Sequence, residues 1–277
     1  MATTTKAAAP AKSKGFTGIK DAWIILLICC AIAYAFYFLV LGNPDNFVNG
    51  DPKGHPLPGN LMGTVYKGGV VVGVILTLLL TVITLGVERL FAIKTASGKI
   101  KLAKFTTDVK NAIKAQNFVE AKNLCNKMQG SVANVVLASI NMYEAVEHDA
   151  TLKKSQKIAK IQQAHEEATQ LEMPTLTMNL PMIATIVSLG TLTALFGTVL
   201  GMIGSFQALS AGGGADSMAL SAGISEALVN TASGILTSWV ATVVYNFFSN
   251  KIDKLTFALD EVGYTIAATY DSNHTEA

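Results

Sequence analysis

Four long apolar stretches constrain this chain more than any other feature. A hydrocarbon core about 30 Å thick needs roughly 20 apolar residues as helix. Residues 22–41 and 68–87 meet that length without a charge, 173–215 runs 43 residues without one, and 217–250 carries only Glu226. Backbone groups in lipid must bond within their own segment, so each stretch predicts a helix. At about 1.5 Å per residue the last would run near 50 Å, longer than the bilayer core, so its far end is expected to project out as helix. Composition agrees: of 277 residues 51% are hydrophobic and only 14% charged, whereas soluble domains carry about a quarter. The expected fold class is all-α, a polytopic membrane protein with four transmembrane helices, two long ones extending into a cytoplasmic helical bundle.

Positive charge falls on one side of these spans. The tail holds Lys6, Lys12, Lys14 and Lys20, the segment 88–172 holds 13 Lys and Arg, and Lys251 and Lys254 open the C-terminal segment; the other two connections hold only Lys53 and Lys67. The positive-inside rule then places both termini and the 88–172 loop in the cytoplasm. The organisation that follows is a basic tail (1–21), a first transmembrane helix (22–42), an external loop (43–66) and a second transmembrane helix (67–93). A cytoplasmic helical domain (94–178), a third span (179–209), an external turn (210–216), a fourth span (217–250) and a cytoplasmic C-terminal segment (251–277) complete it. "AIAYA" (31–35) after a basic start also suits a cleaved signal peptide, but "FYFLVLG" carries the apolar run past any cut there. The loop 42–60 is dense in Gly, Pro, Asn and Asp, which favours turns. Phe105, Val109 and Ile113 repeat at helical spacing, and Ile158, Ile161, Ala168 and Leu171 keep one face among charged neighbours.

The net charge of +2 is too small to suggest nucleic acid. Cys29, Cys30 and Cys125 show no metal or disulfide spacing, so no metal or cofactor is expected. His55, His148, His165 and His274 are polar-flanked and read as surface residues. "AGGGAD" (211–216) lacks the Lys of a phosphate loop and reads as a turn between two spans, which leaves an enzyme as the least supported class.

Two faces carry the chemistry. In the third span Gly190, Ala194, Gly197, Gly201 and Gly204 fall at i, i+4, i+7, i+11 and i+14. Such a stripe of small residues lets membrane helices approach closely, and ordinary helix packing accounts for it. Beside it, Thr191, Thr198 and Ser205 repeat every seven residues. In the fourth span Glu226, Asn230, Ser233 and Thr237 share one face, with Thr231, Ser238 and Thr242 alongside. A polar stripe is costly against lipid, so this face is expected to look into protein or a wet path. Glu226 lies ten residues beyond Asp216, about 15 Å inside if the helix starts there. An ionised side chain near mid-bilayer costs about 2.5–3.5 kcal/mol on insertion scales. No Lys, Arg or His of the chain is expected at matching depth, so a charged partner or second proton carrier is sought in another polypeptide.

"LFGTVLGMIGSF" (195–206), "AGISEALVNTASG" (222–234) and "YNFFSNKID" (245–253), in this order, resemble the proton-channel family of ExbB, TolQ and MotA, nearest to ExbB and TolQ. "NFVEAKNLCNKMQGSVANVVLASINMY" (117–143) is similar to that family's cytoplasmic segment. The resemblance spans roughly residues 65–265. It implies a homo-oligomeric ring, typically a pentamer, in the inner membrane of a Gram-negative bacterium, which makes the external loop periplasmic. It further implies the single-span helix of an ExbD- or TolR-like partner inside the ring, and a TonB- or TolA-like protein that carries work to the outer membrane. Residue by residue it puts the pore threonine of "FGTV" at Thr198, the membrane glutamate at Glu226 and the second threonine at Thr231; Asn230 adds a hydrogen-bonding group where the family tends to have a small residue. Thr191 and Val240 stand where prolines are frequent, Pro174 and Pro181 are left to bend the third helix lower down, and the first span is extra. The leading expectation is a proton-channel motor subunit that energises TonB-dependent transport, with a TolQ-like or motility motor subunit, a non-conducting scaffold and a complete ion channel acting alone as competitors.

Overall fold

The structure is a computed structural model that describes residues 22–52, 54–211 and 217–274. The basic tail 1–21, Lys53, the 212–216 part of the predicted turn and residues 275–277 lie outside the described residues. Among the described residues nine α-helices follow one another: α1 (Ala22–Phe36), α2 (Leu61–Tyr66), α3 (Gly69–Ala96), α4 (Leu102–Lys114), α5 (Phe118–Met128), α6 (Ser131–Glu147), α7 (Lys154–Thr177), α8 (Leu180–Ala211) and α9 (Ser217–Asn273). Among the described residues no strand forms beyond an isolated antiparallel bridge between Phe47 and Pro56. Four helical segments among the described residues are long and apolar enough to cross a membrane, Ala22–Leu41, Gly69–Ala96, Leu180–Ser210 and Leu220–Asn273. The chain is thus all-α and polytopic, as its apolar stretches require. It divides into an apolar unit, residues 22–88 and 179–248 among those described, and a charged unit, 89–178 and 249–274.

In the apolar unit α3 is the most enclosed helix, half of its span buried, against 28% for α1 and for α8. Ile25 and Cys29 of α1, Leu78, Val82 and Leu85 of α3, Ile183 and Ile186 of α8 and Ala241 of α9 form one core cluster. The extra first helix is keyed to α3: the Tyr34 ring occupies the notch at Gly73, where a Cβ would come within 2.8 Å of its Cε1, and the Cys29 thiol lies 3.7 Å from the Thr84 hydroxyl. α1 ends in a π turn, Tyr37–Leu41. There the Tyr37 hydroxyl donates to the Tyr66 carbonyl at 3.0 Å, with the two rings stacked at 4.7 Å. The loop that follows has few regular elements, as its composition predicts, yet its buried polar groups are used. The Asn46 amide donates to the Val40 and Leu41 carbonyls at 2.8 and 3.1 Å. The Asn60 side chain accepts the Met62 and Gly63 N–H groups at 2.9 and 3.2 Å, capping α2.

Residues 173–215 hold the end of α7 and then the third span as α8. The chain breaks at Asn179, whose φ is +64°, with Pro174 inside α7 and Pro181 in the first turn of α8, where its missing N–H leaves no intrahelical bond unmade.

The charged unit has a closed core in which Phe105, Val109 and Ile113 are buried, as their spacing predicts. On α7 the buried line differs from the expected one. Ile161 and Ala168 are buried, but Leu171 is 73% exposed and His165, expected at the surface, is only 9% exposed. Its Nδ1 pairs with the Ser139 hydroxyl at 2.9 Å. The ring fits because residue 263 is glycine: a Cβ there would come 2.5 Å from Nε2. Burial pushes the His165 pKa below its ordinary 6.5, and the Asp260 and Glu166 carboxylates only partly oppose this. His274 also departs from a free surface residue, since its Nε2 lies 2.9 Å from a Glu147 carboxylate oxygen. His55 and His148 are exposed.

Candidate functional site

The small-residue stripe of α8 lies against α9 of the same chain. A Cβ on Gly190 would come 2.5 Å from the Ser238 hydroxyl, one on Gly197 would come 2.8 Å from Asn230, and one on Gly201 would come 2.9 Å from the Gly223 carbonyl. The methyl of Ala194 occupies the space a side chain at Gly234 would need, whereas Gly204 has nothing within 4 Å. Lipid supplies no hydrophobic drive for helix association, so backbone approach of this kind must supply van der Waals contact instead.

That approach brings the two polar lines together. Thr191 and Ser238 hydroxyls are 2.9 Å apart, and those of Thr198 and Thr231 are 2.6 Å apart. Thr198 also lies 3.0 Å from the Ala194 carbonyl and Thr231 3.0 Å from the Ala227 carbonyl. Each hydroxyl owns a single hydrogen. Two protons therefore serve three contacts, and a hydroxyl that donates across the pair leaves its own helix carbonyl without one. Reversing the donor moves hydrogens and no heavy atom.

Asn230 is wholly enclosed, seated in the Gly197 notch. Neither its amide oxygen nor its amide nitrogen has a hydrogen-bond partner among the described residues. Thr237 on the same face is equally enclosed and donates to the Ser233 carbonyl at 3.0 Å. Of the predicted polar face only Glu226 and Ser233 keep part of their surface, and Thr198 and Thr231 are half-buried beside it.

Glu226 differs from expectation in register and in company. A Cβ on Gly69 would overlap the Glu226 carboxylate oxygen, so the acid is level with the first residue of α3. Its ten-residue distance from Asp216 measures position along α9 only, because α9 and α3 do not begin at the same height. Lys67, two residues before α3, lies within electrostatic reach of Glu226, as does the Tyr37 phenol. The chain does contribute a cation at the depth of its buried acid. Sequence reasoning passed over Lys67, Gly68 and Gly69. The signal was "KGG" directly before an apolar run, since paired glycines mark a close backbone approach. Among the described residues no three His, Cys, Asp or Glu side chains converge as metal ligands would.

Residues 131–261, which include all of α8 and most of α9, match the MotA/TolQ/ExbB proton channel family. The chain is similar to an ExbB-like biopolymer transport protein of Synechocystis, 38% identical over 84 residues that are 30% of this chain and 40% of that protein. It is also similar to the Tol-Pal system protein TolQ of Haemophilus influenzae, 34% identical over 88 residues (32% and 39%), and to TolQ of Pseudomonas aeruginosa, 35% identical over 95 residues (34% and 41%). The chain thus spans about two fifths of the length of these curated relatives. The segment 131–261, which carries a carboxylate and a paired-hydroxyl contact on its two membrane helices, is thus similar to the MotA/TolQ/ExbB proton channel family.

Proposed function

We propose that the chain is a subunit of a proton-driven membrane motor, in which protons pass along the surface of Thr198, Glu226 and Thr231, with Asn230 directly behind it. The observation that carries this reading is the Thr198–Thr231 hydroxyl pair. Its hydrogens can reverse, and Thr231 stands five residues from Glu226, the one carboxylate in the sequence between Asp216 and Lys251. The partner is a single-span ExbD- or TolR-like helix whose carboxylate exchanges protons with this surface. Leu192, Leu195 and Phe196 of α8 and Leu228, Ile235 and Trp239 of α9 are exposed in one copy, which suits packing against further copies in a ring, five by the family resemblance. The one-sided Lys and Arg distribution supports a cell inner-membrane location with both termini in the cytoplasm. The leading assignment is energising TonB-dependent transport across the outer membrane. The second is a TolQ-like role in envelope maintenance, favoured by the two TolQ relatives.

The test is Glu226→Gln with the partner co-reconstituted in proteoliposomes. Proton flux should fall by about a hundredfold, the low end of what removing a proton-transferring side chain costs, while the ring still assembles. Thr198→Val should weaken flux less. Wild-type flux in the assembled Glu226→Gln variant would remove Glu226 from the mechanism.

A further inference from the structure

We propose that the Lys67–Gly68–Gly69 turn is the seat of the Glu226 carboxylate, and that Lys67 is the positioning residue that holds this acid within its own subunit until a partner helix engages it. The inference rests on the reading of Glu226 as the acid of the proton path. Two consecutive glycines make the seat. Gly69 has φ +73°, a region costly for a side chain, and the carboxylate fills the space its Cβ would take. At Gly68 a Cβ would come 2.8 Å from Val229, one turn beyond Glu226 on α9. The turn therefore lies close against α9 at both residues, and at 69 the positive φ also favours glycine.

The seat is braced by the extra first helix. The Tyr37 hydroxyl holds the Tyr66 carbonyl one residue before Lys67, and the Tyr37 and Tyr66 rings stack. Val229 joins Tyr37, Leu41, Val72 and Tyr66 in one apolar cluster around the turn. The charged and titratable groups in reach are few. The Lys67 ammonium lies 5.8 Å from the centre of the Phe47 ring, two residues before the glycine whose Cβ space the Glu226 carboxylate fills; the Asp51 and Glu226 carboxylates are within its electrostatic reach, as Glu226 is within that of the Tyr37 phenol. Attraction to the ammonium holds the Glu226 side chain while it is ionised and lapses when the carboxylate takes a proton. The seated acid is the resting form, and leaving the seat accompanies protonation. On this account the first helix, which the matched segment 131–261 does not include, acts by keeping Lys67 and the two glycines aimed at α9.

The test uses the full chain alone in lipid nanodiscs and needs neither partner nor proton flux. A hydrophobic carbodiimide reacts with protonated, membrane-accessible carboxyls, and mass spectrometry counts the Glu226 adduct at fixed pH. Lys67→Met should raise the labelling rate by about fivefold or more, since removing a neighbouring opposite charge disfavours the anion. Lys67→Arg should restore the wild-type rate. Tyr37→Phe, which loses one hydroxyl and keeps Lys67, should raise it about twofold. Wild-type labelling in Lys67→Met overturns the seat, and so does wild-type labelling in Tyr37→Phe where Lys67→Met fails to fold. If Glu226→Gln abolishes flux while Lys67→Met labels normally, the motor stands and the seat falls. The opposite pair of results keeps the seat and removes the motor.

Discussion

The charged unit and the apolar unit invert each other's use of side chains. In the charged unit Phe105, Val109, Ile140 and Tyr270 are enclosed, and Lys122–Glu144 and Lys154–Asp271 pair at its partly exposed surface. In the apolar unit the α8–α9 contact encloses Gly, Ala, Asn230, Thr237 and Ser238, while Phe196, Leu228 and Trp239 are exposed. The rule behind both is the same: each surface matches its solvent, and what is left over makes the interior. Where the solvent is lipid, large apolar groups gain nothing by turning inward, so close backbone approach and hydrogen bonds hold the helices instead. Among the described residues each unit also keeps one enclosed side chain with unmet bonds, Nε2 of His165 in one and both amide atoms of Asn230 in the other.

The largest effect that would sharpen this contrast is truncation of one phenylalanine in each unit. Phe105→Ala should destabilise the charged unit by about 3–5 kcal/mol, and Phe196→Ala, whose ring is 60% exposed, should stay under about 1 kcal/mol in detergent. Equal losses of melting temperature would break the comparison. Next comes overpacking of the apolar unit. Gly197→Val, driven into Asn230, should cost about 1–3 kcal/mol, with Gly204→Ala near neutral because nothing lies within 4 Å. If the two variants melt alike, the stripe does not set the helix contact.

Two histidines of the charged unit give smaller effects of opposite sign. His165 has its folded pKa below the unfolded value, so the unfolded chain binds the proton that the folded chain refuses. Stability should fall as pH drops below about 6.5, and His165→Asn should flatten that fall in a melting series from pH 7.5 to 5.5. For His274 burial works downward, yet the Glu147 hydrogen bond and the Tyr270 carbonyl leave its pKa raised. Its contribution is complete at low pH and is lost as pH rises through the folded pKa. Glu147→Gln should remove it at a cost of no more than about 1 kcal/mol, as for other exposed pairs.

Hydropathy and charge asymmetry made the four spans readable, because lipid acts on every residue of a segment at once. The Phe105, Val109, Ile113 line was readable for a similar reason, since one helix face meets one environment. Register between helices was not. Counting from Asp216 gives the height of Glu226 on α9 but not which residue of α3 lies opposite. His165 was missed because "HEEA" (165–168) looks solvent-exposed, though it stands four residues after Ile161 and three before Ala168, both buried. Leu171 was placed on the buried face by its helical spacing from Ile161 and Ala168, yet it is exposed. What seats His165 is Gly263, almost a hundred residues away, and no local pattern announces such a vacancy.

The Thr198–Thr231 pair has a consequence for any assembly of identical chains. Its two donor arrangements place every heavy atom alike, so neighbouring copies can hold opposite orientations while their backbones superimpose. An assembly symmetric in every heavy atom can then be asymmetric in its hydrogens, each copy carrying its own sense of the hydroxyl dipole.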